Sequence, residues 1–300
     1  MSQEKQGILH LLFRYFISFW NRLAPVLPDE LFLKVVFRYK VGYWPNLKDP
    51  KTFCEKIQWL KLHNKNPEHT KMVDKIEAKK YAAAIIGEKY IIPTLGTWDS
   101  VDEIDWDMLP NQFVIKVTND SGGIVICNDK TKLDINGAKR KLKKGWGKNY
   151  YKFNKEYPYK DVKPRIIAEK YMSADGKDLV DYKFYCFNGN PVYCQVIQDR
   201  SIKETIDFFD MEWKHQEFVG LKPTIEHAAS CPQKPKSFKD MKEISKSLCA
   251  GHPFVRIDLY DIDNKAYFGE ITFFPASGMG NFTPAIWNYK LGEMLNLRSE

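Results

Sequence analysis

Residues 255–282, VRIDLYDIDNKAYFGEITFFPASGMGNF, restrict the fold of this chain more than any other stretch. Two apolar alternating runs, 254–260 and 267–273, flank the turn-forming Asp261, Asp263 and Asn264, which predicts an antiparallel hairpin. Side chains alternate with period two along a strand, so Arg256 and Asp258 share one face of the first run. Glu270 and Thr272 share a face of the second by the same rule. If those faces coincide, two carboxylates meet beside a guanidinium. Hard oxygen donors with room for water and phosphate suit Mg2+, which makes Asp258 and Glu270 candidate metal ligands at a nucleotide-phosphate site. The alternative is a surface Arg-Asp-Glu cluster on an ordinary hairpin.

A chain of 300 residues exceeds the usual single core, so two or three lobes are expected. Lys and Arg outnumber Asp and Glu by 46 to 38, and the formal charge of +8 favours anionic partners: nucleotide phosphates, acidic sugars or lipid headgroups. The local cluster Lys139, Arg140, Lys141, Lys143, Lys144 and Lys148 fits a solvated helix face better than an RNA-binding one, so no nucleic-acid partner is expected. Cys54, Cys127, Cys186, Cys194, Cys231 and Cys249 form no CxxC pair and sit mostly in apolar runs, as reduced core residues of a cytoplasmic protein do. The six histidines lack HxH and HExxH spacing, which predicts no zinc site.

Near the start, residues 8–20 read ILHLLFRYFISFW, too short to span a bilayer and interrupted by His10 and Arg14. No small-residue cleavage site follows, so a secretory signal is not expected. An amphipathic helix remains, either docked on the body of the protein or lying peripherally on the inner face of a membrane, with Arg14, Arg22, Lys34, Arg38 and Lys40 meeting anionic headgroups. Helices are predicted over 31–43, over 53–62 behind a Thr52/Glu55 capping box, and as one piece over 70–86, carrying Asp74, Lys75 and Lys79. Residues 113–127, FVIKVTNDSGGIVIC, read as two strands joined by a glycine loop. Gly122 and Gly123 can present backbone N–H groups to phosphate and Lys116 can add an ammonium, although polar-Gly-Gly turns are also common without a ligand. Further strands are predicted at 165–172, 179–187 and 192–197. The second of these places Asp181, Lys183 and Tyr185 on one face, and the third runs out at Asp199 and Arg200. Lys183 and Arg200 suit a ligand-binding face or a solvated one. A strand pair near 205–209 and a helix over 237–249 complete the pattern.

In their order, KTFCEKIQWLKL, DKIEAKKYAAAIIG, FVIKVTNDSGG, PRIIAEKYM, DYKFYCFNG, VRIDLYD and YFGEITFFPASGMGNFTP resemble the ATP-grasp superfamily, specifically the TupA-like (teichuronopeptide-biosynthesis-like) branch of bacterial polysaccharide loci. The resemblance implies an α+β fold, two lobes clasping ATP behind a helical N-terminal segment. That divides the chain into 1–70, a first lobe at 71–172 and a second at 173–300. It implies that Lys79 and Lys116 reach phosphate and that Ser121, Gly122 and Gly123 form the lid. It implies adenine contacts at the hinge by Glu169, Lys170 and Met172, ribose contacts by Asp178, and a further phosphate contact by Lys183. Asp258 and Glu270 are similar to the family's Mg2+ ligands, with Thr272 standing where many relatives carry Asn, and Arg256 to the arginine beside the acyl-phosphate. Asn119 stands where the branch often has His, so no acid-base role is assigned there.

The activity so implied is ATP- and Mg2+-dependent ligation of a carboxylate to an amine, on an acidic sugar of a surface polysaccharide or its precursor. Arg200 would hold the carboxylate substrate, and aromatic residues at 146–159 and 275–287 would either stack on sugar or pack in the core. A sugar or protein kinase built on the same site, and a non-catalytic glycan-binding component of an assembly complex, are the competing expectations.

Overall fold

The structure, a computed structural model, describes residues 20, 24–120, 122–173, 178–222 and 224–297. Almost all of the predicted 8–20 helix, Ser121 and the turn at Asp175 lie outside the described residues. The strands form two main antiparallel sheets. The smaller contains β1 (Thr94–Trp98), β2 (Phe113–Val117), β3 (Ile124–Cys127) and β4 (Ile166–Lys170), in the order β1-β4-β2-β3. The larger begins with β5 (Asp181–Phe187), β6 (Asn190–Gln198), β7 (Thr205–Asp210) and β8 (His215–Gln216). After a short β9 (Val219–Gly220) it is completed by β10 (Phe254–Ile262) and β11 (Lys265–Thr272), in the order β11-β10-β5-β6-β7-β8. β9 pairs instead with β12 (Phe282–Thr283).

The predicted hairpin is β10 and β11, with Asp258 opposite Glu270 and Arg256 opposite Thr272. The two faces therefore coincide. β5 is buried at every position because both faces of the larger sheet are covered. One cover is the helix Phe238–Leu248, which turns Phe238, Met241, Ile244 and Leu248 inward and leaves Lys239 and Lys246 exposed.

Two separate cores result. The smaller gathers Trp106, Phe113, Ile115, Leu142 and Ile166 around the first sheet. The larger joins the second sheet to the N-terminal helices through Phe32, Phe37, Phe53, Phe184 and Phe254. Residues 71–86, expected with the first lobe, contribute Met72, Val73, Ala78 and Ala82 to this larger core.

Three elements differ from expectation for identifiable reasons. The helix predicted over 70–86 is two helices, Glu68–Val73 and Glu77–Ile86. Asp74 between them has extended backbone (φ −70°, ψ 121°), and its Oδ1 accepts from the Ile76 and Glu77 N–H groups at 2.9 and 3.0 Å. Asp competes with a continuing helix by this kind of local capping. The aromatic loop contains a short helix, Tyr150–Asn154, started by the Asn149 side chain. A C-terminal helix, Ile286–Met294, carried no sequence signal. It packs across the N-terminus of the helix Phe53–His63, where Asn288 Oδ1 accepts from Cys54 N at 3.0 Å. Only glycine fits at 292, since a Cβ there would lie 2.1 Å from the Lys51 carbonyl oxygen. Among the described residues no helix is long and apolar enough to cross a membrane.

Candidate functional site

The first centre forms around Glu169 on β4. Its cross-strand partner on β2 is Val114, so Lys116, two residues on, projects from the same face, and Thr94 lies directly opposite on β1. Lys79 arrives from the helix Glu77–Ile86. Glu169 Oε2 pairs with Lys116 Nζ at 2.6 Å and Oε1 with Lys79 Nζ at 2.9 Å, while Lys79 also donates to Thr94 Oγ1 at 2.8 Å. Burial pushes the Glu169 carboxyl up, but the ammonium groups of Lys116 and Lys79 outweigh it and hold the acid below its usual range. One carboxylate thus positions two cations.

The second centre lies on the larger sheet. Arg256 grips Asp258 as a fork, Nε to Oδ1 at 2.6 Å and Nη2 to Oδ2 at 2.7 Å. Nη2 also donates to Thr272 Oγ1 at 3.0 Å and to Glu270 Oε1 at 3.3 Å. Lys183, opposite Asp258 in the β5–β10 register, donates to Asp258 and pairs with Asp181 at 3.3 Å. Asp258 is buried, which pushes its pKa up, yet Arg256 and Lys183 overcome this and bring it down to about 2. Glu270 differs in being half exposed, at 47%.

Two residues connect the centres. Tyr260 has a hydroxyl raised well above its ordinary pKa by burial and then by Asp181, Glu270, Asp258 and Glu169, which are drawn from both sheets. Lys75 sits at the break between the two short helices and donates to the carbonyls of Thr118 at 3.3 Å and Asp120 at 2.7 Å, tying down the glycine loop. Burial lowers its pKa, and Glu270, Lys116, Asp120 and Glu169 all act on it.

Beside the second centre and the glycine loop is a cavity of about 340 Å³ whose charged lining is Lys40, Lys75, Arg256, Asp120, Glu156 and Glu270, with Tyr150 and Tyr159 beside them. In its wall Lys61 Nζ donates to the Ser277 carbonyl at 2.8 Å and to Ser277 Oγ at 2.6 Å. Burial lowers Lys61 to about 7 and raises Glu156, each opposed by the charge of the other. A larger open depression of about 1040 Å³, near Lys51, Trp59 and Tyr289, contains none of the charged groups of either centre.

The structure brings Lys79, Lys116 and Glu169 together at one centre, and Lys183, Arg256, Asp258, Glu270 and Thr272 at the other. The remaining candidates stand apart. Arg200, expected at the carboxylate substrate, pairs through Nε with Asp181 at 2.7 Å and does not line the cavity. Asp178 accepts from Ser201 N at 2.7 Å, Lys170 is exposed, and Met172 is half buried just beyond β4. Gly123 serves packing, since a Cβ there would lie 2.9 Å from Val117 Cγ2 and 3.3 Å from the Gly145 Cα. The Gly122 N–H is taken by Asp120, whose carboxylate also binds Lys148 and Tyr150. Trp287 stacks on Phe218 at 4.1 Å and packs, partly buried, against the larger core.

Donors of the kind Mg2+ takes stand at the second centre. Glu270, Thr272 and Asp258 offer hard oxygens on one face, with Glu270 open to solvent. Asp258 carries two cations, Arg256 and Lys183, that a nucleotide's phosphates would attract.

The depressed carboxyl groups set an acid limit on stability. Unfolded Asp and Glu titrate near about 3.9 and 4.3, and both Asp258 and Glu169 titrate lower in the folded chain. Their stabilisation is therefore complete above about pH 5 and is lost as pH falls through the folded-state values. The urea midpoint is expected to fall already between pH 7 and 5, where unfolded imidazole takes up protons that His69, lowered to about 4 by burial, does not, and to drop again below about pH 4, with a smaller second drop in Asp258→Asn. An equal drop in that variant would contradict the assignment.

The family model described as TupA-like ATPgrasp matches residues 55–296. No curated protein matches the chain. Solved structures similar to it include D-alanine–D-alanine ligase from Bacillus anthracis complexed with ATP, at 16% identity and a TM-score of 0.43, covering 75% of this chain and 63% of that one. L-amino acid ligase from Bacillus licheniformis is 14% identical with a TM-score of 0.43, covering 82% and 56%. N5-carboxyaminoimidazole synthase from Aspergillus clavatus, in complex with ADP and 5-aminoimidazole ribonucleotide, is 13% identical with a TM-score of 0.38, covering 69% and 45%. The chain spans about 63% of the length of the first of these.

Proposed function

Because the chain belongs to the TupA-like ATP-grasp family, we propose that it is an ATP-dependent carboxylate-amine ligase acting on an acidic sugar of a surface polysaccharide or its precursor. The observation that carries this reading is the lining of the 340 Å³ cavity, which sets three cations, Lys40, Lys75 and Arg256, beside three carboxylates, Asp120, Glu156 and Glu270. A cavity of both signs is matched to a carboxylate and an amine held together. Tyr150 and Tyr159 offer faces for a sugar ring.

In this reading Lys79, Lys116 and Lys183 take the ATP phosphates, and Gly122 and Gly123 belong to the loop that covers them. Glu169, Lys170 and Met172 border the adenine and Asp178 the ribose. Asp258, Glu270 and Thr272 hold Mg2+, which neutralises triphosphate charge when bound. The substrate carboxylate attacks the γ-phosphorus and the bond to ADP breaks, giving an acyl-phosphate. The amine then attacks the acyl carbon, loses a proton and expels inorganic phosphate, leaving an amide. Arg256, its Nε–Nη2 fork held by Asp258, brings a fixed positive charge to the cavity wall beside the oxygens that gain charge, a position lysine would hold less firmly. The need for ATP places the reaction in the cytoplasm.

The test is to incubate the chain with ATP, Mg2+, a uronic-acid sugar and a panel of amino acids, following ADP release and product mass. ADP formation that requires both substrates, together with an amide mass, is expected. ADP formation indifferent to both, or a phosphorylated sugar made without amine, overturns the ligase reading.

A further inference from the structure

We propose that Asp207, His215 and His227 form a site for a transition-type divalent cation of the zinc class, on the edge of the larger sheet and separate from the nucleotide centres. Their ligand atoms all lie within 4.8 Å of one another. The histidine spacing predicted no zinc site; the fold brings together residues that no spacing rule relates. Asp207 lies on β7, and His215 on β8 pairs with Phe209, two residues beyond Asp207, so both project from one face. His227 comes from the segment crossing that edge, where Ile206 N donates to the Glu226 carbonyl at 3.1 Å.

The geometry is close to what a metal needs. His215 Nε2 lies 2.8 Å and His227 Nδ1 3.0 Å from the same oxygen, Asp207 Oδ1. A tetrahedral site with bonds of about 2.0 Å has edges of about 3.3 Å, so the two edges to Asp207 Oδ1 need open by only a few tenths of an ångström, and the two imidazole nitrogens already lie within 4.8 Å of each other. Asp207 is buried, and its second oxygen accepts from Ala228 N at 3.1 Å, an outer contact of the kind that fixes a ligating carboxylate. The His215 ring packs edge-on to Phe209 at 5.3 Å, which sets its orientation. His227 Nδ1 also lies 3.1 Å from the Ile206 carbonyl, a contact that ligation through Nδ1 would replace. The side chains of His215 and His227 are 33% and 35% exposed, leaving an entry path and room for water as a further ligand.

Two imidazoles and one carboxylate select borderline metals over Mg2+ and Ca2+, which prefer all-oxygen shells. The ion would clip β7, β8 and the 227 segment together at a sheet edge. None of the three residues lines the 340 Å³ cavity, so this site stands whether or not the ligase reading does.

The experiment uses the full chain, stripped with a chelating resin and titrated with Zn2+ by calorimetry in excess Mg2+. One equivalent of Zn2+ is expected, with a rise in Tm. The double variant His215→Ala/His227→Ala should bind none and show no rise, and His227→Gln alone should weaken binding by at least about 100-fold, the upper end of what loss of an outer partner costs. Co2+ added to the wild-type chain should give visible bands of nitrogen and oxygen ligation, a readout independent of any variant's folding. Failure of the wild type to hold Zn2+ would overturn the proposal and leave two hydrogen-bonded imidazoles. Undiminished binding in the folded double variant, or a thiolate charge-transfer band with Co2+, would overturn it too.

Discussion

Arg256→Ala is expected to cut ATP turnover by about 10²- to 10³-fold, the usual cost of removing one preorganised donor from developing negative charge. It should also destabilise the chain. Arg256 engages both oxygens of Asp258 and reaches Glu270 and Thr272. Removing one partner of a buried ion pair typically costs about 3–5 kcal/mol, and Lys183 would offset part of this at Asp258. Arg256→Lys separates the two effects. It keeps a positive charge beside Asp258 but loses the fork, so the urea midpoint should recover most of the way while turnover stays depressed. Wild-type turnover in Arg256→Ala would remove this residue from the chemistry.

The second large effect is expected at Glu169. Its carboxylate pairs with both Lys79 and Lys116, at 2.9 and 2.6 Å, in a site where Glu169 and Lys79 are almost fully buried. Glu169→Gln leaves two ammonium groups beside each other with no counter-charge between them, and a loss of about 3–5 kcal/mol in unfolding free energy is expected. Glu169→Gln/Lys79→Met should then regain about 1–3 kcal/mol over the single variant, because the remaining Lys116 side chain is 22% exposed and can turn to water. Denaturant unfolding of the four chains of this cycle measures the coupling. Strict additivity would show that Glu169 is not the element holding the lysines in place.

These two residues also mark how far the sequence could be read. Alternation with period two is a backbone property, so it places Arg256 with Asp258 and Glu270 with Thr272 before any packing is known, and the register then shows that the two faces coincide. Lys75 has no comparable signal. It acts at the cavity because Asp74 breaks the helix one residue earlier, and a capping aspartate inside a good helical pattern reads as an ordinary helical residue. The wall contact between Lys61 and Ser277 spans 216 residues, a separation that leaves no local trace. The pairing of Arg200 was illegible for a related reason. The end of β6 shows where its backbone goes, but the capture of its guanidinium by Asp181 depends on a neighbouring strand. The histidines show the same limit, since His215 and His227 meet at Asp207 through pairing and a crossing segment that no spacing rule describes.

The division into two cores gives the cavity a mechanical character. Asp120 and Tyr150 follow the small sheet and its basic helix, whereas Arg256, Glu270 and Ser277 are fixed to the larger core. The space is a joint between residues carried by the two sheets rather than a hole inside either core. A ligand that touches both walls must immobilise that joint, and part of its binding free energy is taken up in doing so. Affinity at this place therefore measures stiffness as well as contact, and residues far from the ligand that brace one core against the other will govern how tightly it is held.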